Sequence, residues 1–161
     1  MKPDTGYTTN EANNFWKELL TMDRQQLETK IVKALDENKF GSLATVENNK
    51  PKVRYMAFYH EGLNVYLATD RKTHKIDELE QNPQAALLLG FEQGGSGTAV
   101  EIEGQVKISS DESLKKKLWN DDFKEYFEGP EDPDYIVIEI HPARIDYSSK
   151  EDGQQVWTAK E

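Results

Sequence analysis

The distribution of apolar residues predicts a mainly β protein, an antiparallel sheet or barrel with α-helices at its periphery. Three observations carry that expectation. Strand-like runs follow one another between residues 40 and 69, separated by turn residues rather than helices. Further strand-like runs recur at 85–91, 98–108 and 135–140. Helical periodicity is confined to one segment before the strands and two short ones among them, so the regular alternation of a doubly wound parallel sheet is missing.

The elements can be justified in order. Residues 11–20 have modest helical character. Asp23 is a good N-cap with Gln26 three places on, the spacing of a capping box, and Leu27, Ile31, Ala34 and Leu35 then recur on one helical face up to Asn38. Phe40 to Val46 reads as a strand, Glu47-Asn48-Asn49-Lys50 as a hairpin turn, and the β-branched and aromatic run Val53 to Tyr59 as a second strand. Glu61-Gly62 marks a turn before a third strand, Leu63 to Thr69. A short helix spans Lys75 to Gln81, and Pro83 biases Asn82 away from helical geometry. Ala85 to Phe91 reads as a buried apolar strand and Gln93 to Gly97 as a flexible loop. Thr98 to Ile108 alternates as a long strand in which Gly104 marks a bend or bulge. Ser109 and Glu112 have capping-box spacing ahead of a helix through Leu114, Leu118 and Trp119. An acidic loop, Glu128 to Asp134, precedes a strand from Tyr135 to Ile140, which Ala143 to Tyr147 extends past His141-Pro142. One domain over 1–161 is expected, with 1–22 as an N-terminal extension and 149–161 as a polar tail.

Composition excludes several classes of function. The 161 residues carry a formal net charge of −10, which argues against a nucleic-acid partner, since that needs a broad basic face. There is no cysteine, so disulfides, thiolate metal sites and Cys nucleophiles are ruled out. No apolar run approaches the length of a membrane span and the N-terminus lacks a signal-like stretch, so the expectation is a soluble cytoplasmic protein without membrane contact.

Against that acidic background one stretch stands out, Ala68-Thr69-Asp70-Arg71-Lys72-Thr73-His74-Lys75. Residues 50–75 hold six cations (Lys50, Lys52, Arg54, Arg71, Lys72, Lys75) against Glu61 and Asp70, a local +4, while the remainder carries −14. Hydroxyls and cations at a strand-to-helix turn suit a small anion such as a cofactor phosphate. A solvated basic first turn capped by Asp70 is the alternative. Arg54, beside Met56 on one face of its strand, either reaches a planar ligand or its phosphate, or is solvated; Tyr55 and Val53 share the other face.

The remaining signals are weak. His60, His74 and His141 lack metal-ligand spacing, and no metal site is expected. Ser113 to Lys116 matches S-x-x-K inside a polar helix. Gly94 to Gly97 lacks dinucleotide-binding spacing, and Glu128, Glu131, Asp132 and Asp134 lack the calcium-loop pattern.

Several segments, in this order and spacing, carry a resemblance: Phe40-Gly41-Ser42-Leu43-Ala44-Thr45, Arg54-Tyr55-Met56, Ala68 to Lys75, Asn82-Pro83-Gln84-Ala85-Ala86-Leu87, Val100-Glu101-Ile102-Glu103-Gly104, Leu118-Trp119, Gly129 to Tyr135, and Pro142-Ala143-Arg144-Ile145-Asp146-Tyr147. From about residue 25 to 147 the chain resembles the pyridoxamine 5′-phosphate oxidase-like family of FMN-binding split β-barrels, and within it the general stress protein 26 group. The resemblance implies an antiparallel split β-barrel with peripheral α-helices, and a homodimer with two flavin sites in the clefts between subunits. It implies that Arg54 lies on the phosphate side, that Tyr55 and Met56 offer backbone to the flavin ring, and that Thr69 serves the ring and ribityl chain. Thr73, His74 and Lys75 match a hydroxyl–basic–Lys phosphate triplet, with His74 where the oxidase has Arg. The implied cofactor is FMN, with FAD possible, and the implied function is a flavin-dependent oxidoreductase of unknown substrate.

The sequence departs from the oxidase at Ala99, which stands for a glutamine. It departs at Tyr147-Ser148, where the stress-protein group often has Trp. The oxidase's C-terminal Arg-Leu substrate motif is absent, which argues against vitamin B6 oxidation. The alternatives are a non-catalytic flavin-binding or storage protein, or the same barrel holding FAD, a deazaflavin or haem. No acid–base catalytic set stands out.

Overall fold

The computed structural model describes residues 8–11, 13–14, 22–90 and 97–160. Most of segment 11–20 and the loop from Gln93 to Ser96 lie outside the described residues. The elements are α1 (Arg24–Glu37), β1 (Phe40–Glu47), β2 (Lys50–Ala57), β3 (Tyr59–Glu61), β4 (Asn64–Asp70), α2 (His74–Gln81), β5 (Gln84–Gly90), β6 (Ala99–Ser109), α3 (Glu112–Leu118), a 3₁₀ turn (Asp121–Glu125), β7 (Tyr135–Ser149) and β8 (Gly153–Thr158). The eight strands form one antiparallel sheet in the order β2-β1-β5-β6-β7-β4-β3, with β8 also on β7, rolled into a half-barrel. The expected fold class is therefore the observed one.

Strand β7 organises the sheet. From Val137 to Ser148 it pairs with β6; on its other edge, residues 135–140 pair with β4 and residues 144–149 with β8. His141-Pro142 falls between those two partners, where an absent N–H costs no ladder bond on that side. The expected interruption is thus a bulge in a continuous strand, with Ala143 the extra residue between the Gly104–Pro142 and Glu103–Arg144 pairs. Gly104 makes this crossing possible, because a Cβ there would lie 2.2 Å from the His141 carbonyl oxygen.

The core lies between the inner sheet face and α1 and α2. Asp23 caps α1, its side chain accepting from the Gln26 N–H at 2.9 Å, and Leu27, Ile31, Ala34 and Leu35 are buried as the spacing predicts. Each leucine or isoleucine among them contributes about 1.5–3 kcal/mol by leaving water. They meet Leu43, Leu67, Leu87, Ile102, Ile136, Ile138 and Ile145. A second cluster of Tyr66, Phe127, Tyr135 and Val137 packs under α3 with Trp119 and Phe123.

Some boundaries differ from those the sequence suggested. The second strand begins at Lys50, since Asn48 and Asn49 (φ 49° and 62°) form a tight two-residue turn. It breaks at Phe58, whose ring is buried and whose N–H donates to the Lys39 carbonyl; the chain then turns to pair β3 with β4. Leu88 in β5 is exposed, so that strand alternates instead of being buried throughout. Helix α3 is capped by Asp111, not Ser109, because β6 continues through Ser109. The expected tail contains β8: Gly153 (φ 66°) turns the hairpin and Trp157 is buried. The Trp157 Nε1–H donates to Glu28 at 2.7 Å and Lys30 pairs with Asp152 at 2.6 Å, which fastens β8 to α1. Among the described residues no helix is long and apolar enough to cross a membrane.

The close crossing at Gly104 gives a direct check. Gly104→Ala should lower unfolding free energy by about 1–3 kcal/mol in a denaturant titration, whereas Gly129→Ala, whose Cβ meets its nearest atom at 3.6 Å, should change it by less than about 0.5 kcal/mol. Equal effects would contradict the role given to the bulge.

Candidate functional site

Strand register decides which β2 residues face inward. Arg54 stands opposite Leu43, whose side chain is fully buried, so Arg54 and Met56 point to the core side while Val53 and Tyr55 point out. Arg54 is not a solvated strand arginine. Its Nη1 donates to Thr45 Oγ1 at 2.7 Å and its Nη2 to Glu78 Oε2 at 2.8 Å; Thr45 Oγ1 donates to the same carboxylate oxygen at 2.5 Å. The Glu78 side chain is 3% exposed and that of Arg54 25%. Burial pushes the Glu78 carboxyl up, but the hydrogen bonds from Thr45 and Arg54 and the nearby positive charges outweigh it, and the net direction is down. The stabilisation this carboxylate supplies is therefore present above the ordinary carboxylate range and is lost as pH falls through its lowered value. Glu78 and Thr45 were not legible as site residues: on α2, Glu78 sits between Ile76 and Leu79 and reads as a solvated helix glutamate.

The basic turn divides into two sets. Arg71 and Lys72 turn away, Arg71 Nε donating to the Pro133 carbonyl and Lys72 pairing with Asp134 at 2.8 Å. Thr69, Thr73 and Lys75 converge. Thr69 is buried at the end of β4, its Oγ1 accepts from Lys75 Nζ at 3.0 Å, and it lies 3.4 Å from Thr73 Oγ1. Asp70 does not cap α2; its carboxylate accepts from the Lys72 N–H at 2.8 Å. Thr73 is the N-cap, yet its hydroxyl donates to the Asp70 carbonyl and makes no cap bond to the first turn. The alternative of an Asp70-capped start is thereby removed.

Lys75 is half-buried, and among the described residues no carboxylate lies within 4 Å of its Nζ. Burial pushes its amine down, and the neighbouring Arg54 charge adds to that. His74 is exposed at the first position of α2, its Nε2 2.9 and 3.0 Å from the two Glu47 oxygens and 3.8 Å from Glu78 Oε1. Its imidazole is raised chiefly by the Glu47 hydrogen bond and charge, so that pair stabilises fully below the ordinary imidazole value and fades as pH rises through the raised one. The fold thus brings together a Glu47–His74–Glu78 group, with ligand atoms within 4.8 Å of one another, that sequence spacing did not show. Arg54 and Lys75 place positive charge beside it, which disfavours a divalent cation; the carboxylates of Glu47, Glu78 and Asp77 favour a protonated His74.

The chemistry of this donor set fits a phosphate. It offers a half-buried ammonium without a carboxylate partner, two hydroxyls, an imidazole, and a guanidinium with three of its five N–H donors uncommitted. Clefts of about 290 Å³ between α1 and the β7–β8 turn, and about 390 Å³ beside Phe40 and Tyr59, are lined by other residues.

The model of the pyridoxamine 5′-phosphate oxidase family matches residues 27–149. The chain belongs to that family. Within it, the chain is 42% identical over 125 residues to general stress protein 26 of Bacillus subtilis, covering 77% of this chain and 89% of that one. The crystal structure of general stress protein 26 from Bacillus anthracis superposes with a TM-score of 0.74 at 36% identity, covering 83% of this chain and 98% of that one. A pyridoxamine 5′-phosphate oxidase-related, FMN-binding protein from Nostoc punctiforme shares the fold with a TM-score of 0.64 at 15% identity, covering 87% of this chain and all of the other. The family match spans the strands and the turn that carry Arg54, Thr69, Thr73, His74 and Lys75.

Proposed function

We propose that this chain binds FMN as a flavin-dependent oxidoreductase of the general stress protein 26 type, with the phosphate at the Thr69–Lys75 turn. The observation that carries this reading is Lys75, a half-buried cation that lacks a carboxylate partner among the described residues and faces Thr69, Thr73 and Arg54. A phosphate there supplies the missing counter-charge, and it would raise the lysine amine back toward its ordinary value. Family membership and the FMN named for the Nostoc relative support the choice of cofactor. When bound, the flavin supplies hydride transfer at its N5. The chain's own residues would bind and orient: Lys75, Thr69 and Thr73 would hold the phosphate, Glu78 and Thr45 aim Arg54, and Tyr55 and Met56 would offer β2 backbone to the ring.

We also propose that the site is completed by a second copy of the chain. The outer face of β2, β1 and β5 supports this. Tyr55–Ser42–Leu88 and Val53–Ala44–Ala86 form successive cross-strand rows beside Phe40, and Phe40, Val53, Tyr55 and Leu88 are 51–83% exposed. An exposed apolar patch of this kind, on the outer face of the strand that carries Arg54, suits a homodimer.

Two measurements test these statements. In fluorescence-quenching titrations, Lys75→Ala should weaken FMN binding about 10-fold or more and Thr73→Ala about 3- to 10-fold, whereas Lys116→Ala, removing an equal but remote charge, should leave it unchanged. Equal losses in all three would sink the phosphate assignment. In sedimentation, wild-type protein should run as a dimer and Leu88→Glu as a monomer with weakened FMN binding; a wild-type monomer with full FMN affinity would contradict the shared site.

A further inference from the structure

Glu47 ends β1 and reaches across to the first residue of α2. Its two oxygens hold His74 Nε2 at 2.9 and 3.0 Å, although the His74 side chain is 65% exposed and immediately precedes Lys75. The other charges facing this imidazole are Glu78 Oε1 at 3.8 Å from Nε2 and Asp77 Oδ2 at 3.8 Å from Nδ1, both from α2. From β2, Arg54 pairs with Glu78, and among the described residues Lys50, the cross-strand partner of Glu47, makes no ion pair with it within 4 Å. Glu78 is committed to Thr45 and Arg54, and Asp77 is the more distant acid. The anion that engages His74 directly is therefore Glu47, a carboxylate at the tip of a hairpin.

We propose that Glu47 is an internal stand-in for the cofactor phosphate, and that binding requires His74 to exchange the Glu47 carboxylate for a phosphate oxygen. The inference rests on the phosphate cradle proposed above. Its physical content is competition. A carboxylate and a phosphate ester want the same N–H donor, and two anions beside one imidazolium repel each other. Glu47 thus sets cofactor affinity as a positioning residue acting through His74. It also gives the site a preference: a ligand with a phosphate must displace Glu47, whereas riboflavin, with the same ring and no phosphate, need not.

FMN and riboflavin titrations of the full chain at low salt test the proposal. Removing the competitor in Glu47→Gln should tighten FMN binding about threefold to fivefold, the scale of an exposed ion pair, and leave riboflavin binding unchanged. In a His74→Ala background the gain from Glu47→Gln should vanish, which a merely structural role for Glu47 would not produce. Unchanged or weakened FMN binding in Glu47→Gln, or an equal change for riboflavin, overturns the proposal while leaving the cradle standing if Lys75→Ala still loses FMN. Full FMN affinity in Lys75→Ala overturns both.

Discussion

The constraint on which the rest depends is a carboxylate in the wrong place for a carboxylate. Glu78 points from α2 into the core with its side chain 3% exposed. Left alone there it would cost several kcal/mol or give up its charge. Arg54 from β2 and Thr45 from β1 meet it instead, and three elements are thereby locked in one arrangement. The pair need not add net stability over an apolar substitute, but removing either member would strand the other. Its larger consequence is electrostatic. With Arg54 paired to Glu78, Lys75 remains a half-buried cation beside hydroxyls, and among the described residues no carboxylate lies within 4 Å of it. An acidic chain thus carries a recess whose donors suit an anion.

That recess was partly legible in the sequence. Strands announced themselves by β-branched and aromatic runs, and α1 by Asp23 and the spacing of Leu27, Ile31 and Leu35, because these signals are local and repeat with the backbone period. The helix of the basic turn was visible for the same reason. Long-range facts were not. The inward aim of Arg54 depends on its pairing with Leu43 on another strand, and the burial of Glu78 on what α2 packs against. Strand β8 was hidden in a polar segment because its one buried anchor, Trp157, stands alone; the Asp152-Gly153 turn before it was the signal available. Asp111 replaced Ser109 as a cap because sheet pairing outcompeted a local motif.

Fold and proposed function meet along the β1–β2 hairpin. Its inner face supplies Thr45 and Arg54 to the site, and its outer face presents Val53 and Tyr55 to solvent. Because strand side chains alternate, one hairpin can serve the proposed cofactor on one side and the proposed partner subunit on the other. Its tip ends at Glu47, so the same element also carries the group that holds His74.

The central claim is that Lys75 is a cation waiting for an anion, and its own titration tests that claim most directly. Followed by side-chain NMR, the Lys75 amine should titrate below the ordinary lysine value of about 10.4 in the ligand-free protein, rise on addition of FMN, and stay where it is on addition of riboflavin. A Lys75 that titrates at the ordinary value and does not respond to FMN would contradict the account.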